Sequence, residues 1–200
     1  MSLVTNFLFI TFFYLIGSIP FALILTKLLG HGDIRDIGSG NVGATNVLRT
    51  GNKYLAFTVL FLDIFKGVLP FIILSYLYDT NILHSIFLSH FAILGHIFPI
   101  WLKFKGGKGV ATYIGFLIGL NFLIGLYFLL TWITIAWISR YSSLSSLTAT
   151  LVAPLYFFFV NPNYIVVIFL LYLFIIISVK HRENIKRLVS GSENKIKLSK

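Results

Sequence analysis

The run Gly38-Ser39-Gly40-Asn41-Val42-Gly43-Ala44-Thr45-Asn46, with Arg49 after it, has the makings of an anion site. Glycines let backbone N–H groups converge on a ligand without interference from a Cβ. Ser39, Asn41, Thr45 and Asn46 add neutral donors. Arg49 adds a charge-assisted donor that can act through two N–H groups at once. A helix beginning near Gly43 would turn the positive end of its dipole toward the same anion. An ordinary polar turn between helices is the alternative reading, and the P-loop spacing is absent.

Two further segments carry similar chemistry. Lys103-Phe104-Lys105-Gly106-Gly107-Lys108-Gly109 surrounds Lys108 with three glycines, which suggests a lysine held close to a bound anion. It also fails the P-loop pattern, because Gly109 stands where a hydroxyl would hold magnesium. Its alternative reading is a basic flank that sets membrane orientation, with a flexible turn. His181-Arg182-Glu183-Asn184-Ile185-Lys186-Arg187-Leu188 is the third segment. A basic tail lying on anionic headgroups accounts for Lys195, Lys197 and Lys200. It does not account for His181 and Asn184, which at i and i+3 share one face of a continued helix.

Other chemistries are disfavoured. The chain has no cysteine, which removes disulfides, thiolate metal sites and a cysteine nucleophile. With six acidic residues and no clustered carboxylates, neither a metal nor a cofactor is expected. His31 and Asp36 reproduce a spacing known from another acyltransferase superfamily, which is read as coincidence, with Asp36 bracing Arg35 or Arg49. Ser39 between glycines suggests a nucleophile with His181 as its base, but no third member is visible. Asp63 and Lys66, at i and i+3 inside an apolar block, are expected to pair toward the interior of a helical bundle in a structural role. His84 and His90 are read as interfacial or packed residues.

These segments interrupt a chain of 200 residues that is 58% hydrophobic and 11% charged. A soluble domain carries about 25% charged residues, so the bilayer is the natural solvent here. The blocks 3–29, 54–78, 83–102, 110–139, 146–160 and 163–179 are apolar. Block 3–29 has no preceding basic residue and no cleavage site, so it is read as a retained helix and not a signal peptide. Block 110–139 is either one long helix or two short ones that turn near Asn121. Charge decides between them, because cytoplasmic flanks collect Lys and Arg. With two helices, all 16 basic residues except Lys66 fall on one side. The expected fold is therefore all-α: a polytopic integral membrane protein with seven transmembrane helices, N-terminus outside and C-terminus cytoplasmic. The net charge of +10 would suggest nucleic acid in a soluble protein. Membrane orientation explains it here, and no nucleic-acid partner is expected.

In this order the motifs resemble the acyl-phosphate-dependent glycerol-3-phosphate acyltransferases of bacterial membranes. The matching strings are GSGNVGATN with Arg49, GHIFPIWLKFKGGKGVAT ending at Thr112, and HRENIKRL with the later Glu193. Asp63-Ile64-Phe65-Lys66-Gly67 also looks like that family. The resemblance implies transfer of a fatty acyl group from acyl phosphate to the 1-hydroxyl of glycerol 3-phosphate. The products are lysophosphatidic acid and inorganic phosphate. It implies a single transmembrane acyltransferase domain over 1–190, a polar basic tail over 191–200, and a site facing the cytoplasm from the bacterial inner membrane. Ser39, Arg49, Lys108, His181 and Asn184 would be the catalytic set. Gly38, Gly40, Asn41, Gly43, Thr45, Asn46, Lys105, Gly106, Gly107, Gly109, Thr112 and Glu193 would bind substrate or phosphate. The implied partners are both substrates, membrane lipid and an upstream enzyme that forms acyl phosphate. A small-anion transporter is the competing class, though its site would normally lie near the midplane.

Because the chain has no cysteine of its own, single cysteines can report sidedness. A membrane-impermeant thiol reagent should label the 106–107 and 181 regions from the same face. Labelling of one from outside and not the other would break the assignment.

Overall fold

The computed structural model describes residues 1–78 and 81–196, and all its regular elements among these are helical. Lys197 and Lys200, expected at the headgroups, and Asp79 in the expected 79–84 connection lie outside the described residues. The chain divides into two compact units, Met1–Leu120 and Asn121–Lys200.

Four of the described helices open on an asparagine cap. In the first unit α1 is Leu3–Gly17 and α2 is Phe21–Leu28, so the expected first helix is broken, with a 41° bend. Pro20 stands at the break, where its missing N–H ends the ladder. A short α3, Ala44–Val47, runs into a 3-10 turn, Leu48–Thr50. Asn52 accepts from the Leu55 N–H to open α4, Lys53–Leu77, and Asn81 accepts from the His84 N–H to open α5, Ile82–Ile97. α6 is Val110–Leu120. In the second unit Asn121 accepts from the Leu123 and Ile124 N–H groups to open α7, Phe122–Ser139. The split of block 110–139 thus has a physical cause, since Asn121 offers the backbone an N-cap instead of helix continuation. α8 is Ser142–Val160, α9 is Tyr164–Lys180 and α10 is Arg182–Val189. α8 starts four residues before the expected 146. Ser145 and Ser146 return their hydroxyls to the Tyr141 and Ser142 carbonyls, which lets a serine-rich turn stay helical and buried.

Among the described residues, four helices are long and apolar enough to cross a membrane alone, and six spans result if each bent pair counts as one. α6 is a shorter apolar helix. Leu130, Ile133 and Trp137 on α7 are exposed, as lipid-facing side chains should be.

Lipid tails are as apolar as leucine, so helix association rests on close packing. In the first unit a Cβ on Gly67 would stand 2.1 Å from the Thr112 carbonyl oxygen, and one on Gly115 would stand 1.9 Å from that of Ile64. These two glycines bring α4 and α6 backbone to backbone. Gly17 and Gly95 do the same for α1 and α5, where added Cβ atoms would meet the Ala92 and Tyr14 oxygens at 2.1 and 2.2 Å. In the second unit Tyr127 stacks on Tyr156 at 4.2 Å, and the Trp132 indole donates to the Ser146 hydroxyl at 3.0 Å.

Gly115→Ala should therefore destabilise the protein by about 1–3 kcal/mol through overpacking. A thermal midpoint in detergent equal to that of the wild type would show that α4 and α6 do not approach so closely.

Candidate active site

The first polar loop rests on a small apolar core. Leu23 from α2, Ile34, Val42 and Val47 from the loop, and Leu55 and Val59 from α4 are buried together, and Leu102 packs against them. This core anchors the loop and also the start of the Lys108 segment.

Asn46 shapes the loop from within. It is buried, its Nδ2 donates to the Ile34 and Ile37 carbonyls at 2.9 Å each, and its Oδ1 accepts from the Ser39 N–H at 3.0 Å. The Ser39 hydroxyl also reaches Oδ1, at 3.3 Å. Both Asn46 donors are therefore spent on the fold, which corrects its expected role as a donor to an anion. The Gly40 N–H is bonded to the Ile37 carbonyl at 3.0 Å. Gly38 has φ +58, and a Cβ there would meet the Arg49 Cδ at 2.6 Å and Nη1 at 2.7 Å. Gly38 is glycine so that the Arg49 side chain can cross over it. Ser39, Thr45 and Arg49 are exposed at the loop surface, Asn41 and Gly43 are half-buried, and Asn41 Nδ2 faces Gly43. The helix after Gly43 has four residues, too few for the dipole expected of it.

Arg35 is braced by Asp33 and not by Asp36. Its Nε and Nη2 donate to the two Asp33 oxygens at 2.9 and 2.6 Å, and Lys27 lies 3.2 Å from the same carboxylate. The Arg35 guanidinium beside it holds the Asp33 carboxyl well below the usual carboxylate range.

The Lys108 loop lies flat on the end of α5. The Gly106 and Gly107 N–H groups donate to the Ile97 and His96 carbonyls at 3.2 and 3.1 Å. Gly106 and Gly107, in the stretch expected to hold Lys108 near an anion, thus have their N–H groups engaged within the fold. Their lack of a side chain is what the contact uses. A Cβ on Gly106 would stand 2.2 Å from the His96 oxygen, and one on Gly107 2.1 Å from the His96 Nε2. Gly109, at φ +86, closes the loop against Ile97. Lys105 is exposed and Lys108 is half-buried. Thr112, expected among the phosphate ligands, is fully buried at the contact of α4 with α6.

Beneath this loop the Asp63–Lys66 pair is buried as expected, at 2.7 Å. Lys66 Nζ also donates to the Ile19 carbonyl at the break of α1 and α2, at 3.0 Å. His96, unremarked in the sequence, places Nδ1 3.7 Å from Asp63.

In the second unit the helix does not continue through His181. α9 and α10 meet there at a 67° bend, with His181 closing one helix and opening the next. His181 and Asn184 are nevertheless both buried. The His181 Nδ1 lies 2.8 Å from the Ile177 carbonyl, which can only accept, so the proton sits on Nδ1. In the neutral ring the lone pair is then on Nε2.

Glu193, expected among the substrate ligands, braces neighbouring side chains. Its Oε1 accepts from Asn184 Nδ2 and from the Ser143 hydroxyl, and its Oε2 from Arg187 Nε, each at 2.7 Å. A carboxylate so placed orients Asn184 and would repel a phosphate. It also ties down part of the tail, as does the bond from the Ile196 N–H to the Arg140 carbonyl. Burial acts to raise the Glu193 carboxyl, and the bonds from Asn184, Ser143 and Arg187 outweigh it, leaving it below its ordinary value. Ser143 gave no sequence signal, being 50 residues away. Arg187 did, at i+3 from Asn184. Beside these residues an open apolar groove of about 600 Å3 is lined by Leu147, Leu151, Phe174, Ile175, Val179 and Ile185.

The profile of the family described as Glycerol-3-phosphate acyltransferase matches residues 7–191. A glycerol-3-phosphate acyltransferase of Bartonella henselae is 49% identical over 96% of this chain and 92% of its own length. One from Pelagibacter ubique is 52% identical over 92% of this chain and 94% of its own. The crystal structure of PlsY (YgiH), an integral membrane glycerol 3-phosphate acyltransferase, in its glycerol 3-phosphate form is 37% identical. It covers 96% of both chains with a TM-score of 0.89. Its lysophosphatidic acid form gives 0.86 at 36% identity.

The lowered Glu193 carboxyl has a consequence for pH. Its contribution to stability is complete above the ordinary value of 4.5 and is lost as pH falls through the lower folded value. Protease protection of the 187–196 segment should fall away in that acid range in the wild type. In Glu193→Gln it should be weaker at neutral pH and flat across the same range.

Proposed function

The chain belongs to the glycerol-3-phosphate acyltransferase family, and on that footing we propose that it moves a fatty acyl group from acyl phosphate to the 1-hydroxyl of glycerol 3-phosphate. The observation that carries the reading is the extent of the match, which runs through all three polar segments. The protein sits in a bacterial membrane. We assign it seven spans, with α6 as the short one and the bent pair of α1 and α2 as the first, and a cytoplasmic site. The charge distribution supports that orientation, since Lys66 stands mid-helix in α4 while Lys27, Lys53 and Lys180 stand at or next to helix ends.

Both substrates carry phosphate, and the exposed Arg49 with Lys105 and Lys108 supplies the charge to hold it. Ser39, above the Asn46 brace, offers a neutral donor. The groove beside Ile185 suits an acyl chain, being almost wholly apolar and open along one side. The acceptor hydroxyl oxygen attacks the acyl carbonyl carbon, the bond from that carbon to the phosphate oxygen breaks, and inorganic phosphate leaves. The hydroxyl proton passes to a phosphate oxygen of the substrates or to the lone pair on His181 Nε2. Phosphate is a good leaving group, so positioning and oxyanion stabilisation suffice without a covalent acyl-enzyme. Asn184, held by Glu193, is a rigid donor for that purpose. The donor acyl phosphate would come from an enzyme in which phosphate displaces the leaving group of an activated acyl group.

Purified protein should release phosphate from palmitoyl phosphate only when glycerol 3-phosphate is present, and acyl-CoA and acyl carrier protein should replace that donor poorly. Lys108→Ala and Asn184→Ala should each lose about 100-fold or more in turnover while remaining folded. Chelators should leave the rate unchanged. An acyl adduct on Ser39 seen by mass spectrometry would overturn direct transfer.

A further inference from the structure

We infer that His96 is a positioning residue through which the buried Asp63 carboxylate fixes the loop carrying Lys108. The inference rests on the reading above that Lys108 holds a substrate phosphate. Asp63 Oδ1 lies between two nitrogens, Lys66 Nζ at 2.7 Å and His96 Nδ1 at 3.7 Å. Both carboxylate and ammonium are all but sealed from solvent, and the imidazole nearly so. A carboxylate on that side favours the N–H on Nδ1 and fixes the plane of the ring. The opposite edge of the ring is the wall against which Gly107 rests, since a Cβ there would stand 2.1 Å from Nε2. The Gly106 and Gly107 N–H groups hold the loop to the last turn of α5, and the ring blocks its movement inward. The next residue is Lys108. Reacting groups tolerate little displacement, and a shift of about 1 Å can cost on the order of 100-fold in rate. Neither the buried pair nor His96 is needed to orient the chain in the membrane. Their proximity to the loop gives an expensive buried charge a reason to be there.

The test is a set of variants of the full chain in detergent, assayed for glycerol 3-phosphate-dependent phosphate release with each substrate varied in turn. His96→Asn keeps an amide nitrogen facing Asp63 and removes the ring edge from Gly107. It should melt near the wild type yet lose at least about tenfold in kcat/KM, equivalent to about 1.4 kcal/mol. Gly107→Ala should be strongly impaired in the wild-type background and cause no further loss in a His96→Ala background, where the methyl has room. Multiplying losses would mean two separate structural injuries and would overturn the inference, as would wild-type kinetics in His96→Asn. If His96→Asn does not fold, the coupling between Gly107→Ala and His96→Ala decides alone. A fully active Lys108→Ala would remove the phosphate-holding reading itself, and the positioning role with it. An inactive Lys108→Ala beside an unaffected His96→Asn would sink only the positioning role.

Discussion

An ammonium inside an apolar helix must be compensated within reach of its own side chain, because hydrocarbon supplies neither water nor counter-ion. Lys66 meets this with Asp63 one turn earlier on α4 and with the Ile19 carbonyl at the break of the first helix. The second contact is the more informative. Breaking a helix within a membrane exposes backbone polar groups, which are tolerated only where protein covers them. The ion pair and the helix break therefore support each other. The Trp101 indole donating to the Ser18 hydroxyl at 2.7 Å and the Tyr14 hydroxyl donating to the Phe98 carbonyl at 2.7 Å fasten the same break to the end of α5. The Lys108 loop begins where those bonds end.

Glycine has two uses in phosphate sites, as a source of open backbone donors and as a surface without bulk. This protein uses the second. The N–H groups of Ser39, Gly40, Gly106 and Gly107 are all bonded within the fold. Gly38 makes room for Arg49, and Gly107 makes room for His96. These four N–H groups are thus engaged within the fold, which on the proposed function leaves a larger part of anion recognition to side chains such as Arg49 and Lys108.

Features set by local physics were legible in the sequence. Lys66 could compensate Asp63 because residues at i and i+3 meet on any helix. The break at Asn121 followed from charge placement, and its cause is a local cap. What was not legible depends on the difference between a polar residue that serves a ligand and one that serves the chain. Asn46, Thr112 and Glu193 have the composition of ligands and the burial of scaffold. Sequence spacing does not separate these roles, because the partners are distant or are backbone. Glu193 is satisfied by Ser143, and Asn46 by carbonyls that carry no residue identity. His96 was missed for the converse reason. It lies within a helix among apolar neighbours, and its significance comes from a glycine that folds back onto it.

The carboxylates bear on how the reaction must run. Asp33 is held by Lys27 and Arg35, Asp63 by Lys66, and Glu193 by Asn184, Ser143 and Arg187. Glu183 lies exposed 3.6 Å from Arg182 and 3.5 Å from Lys186. Each thus has a cation or a hydrogen-bond donor beside it, as a carboxylate that serves the fold does. A hydroxyl attacking an acyl phosphate nevertheless has to lose a proton. On the proposed reaction the candidate acceptors include the substrates' own phosphate oxygens and the His181 imidazole. The Ile177 carbonyl draws the His181 proton to Nδ1, so that in a neutral ring the lone pair stands on Nε2, the nitrogen to which the proposed reaction would pass a proton.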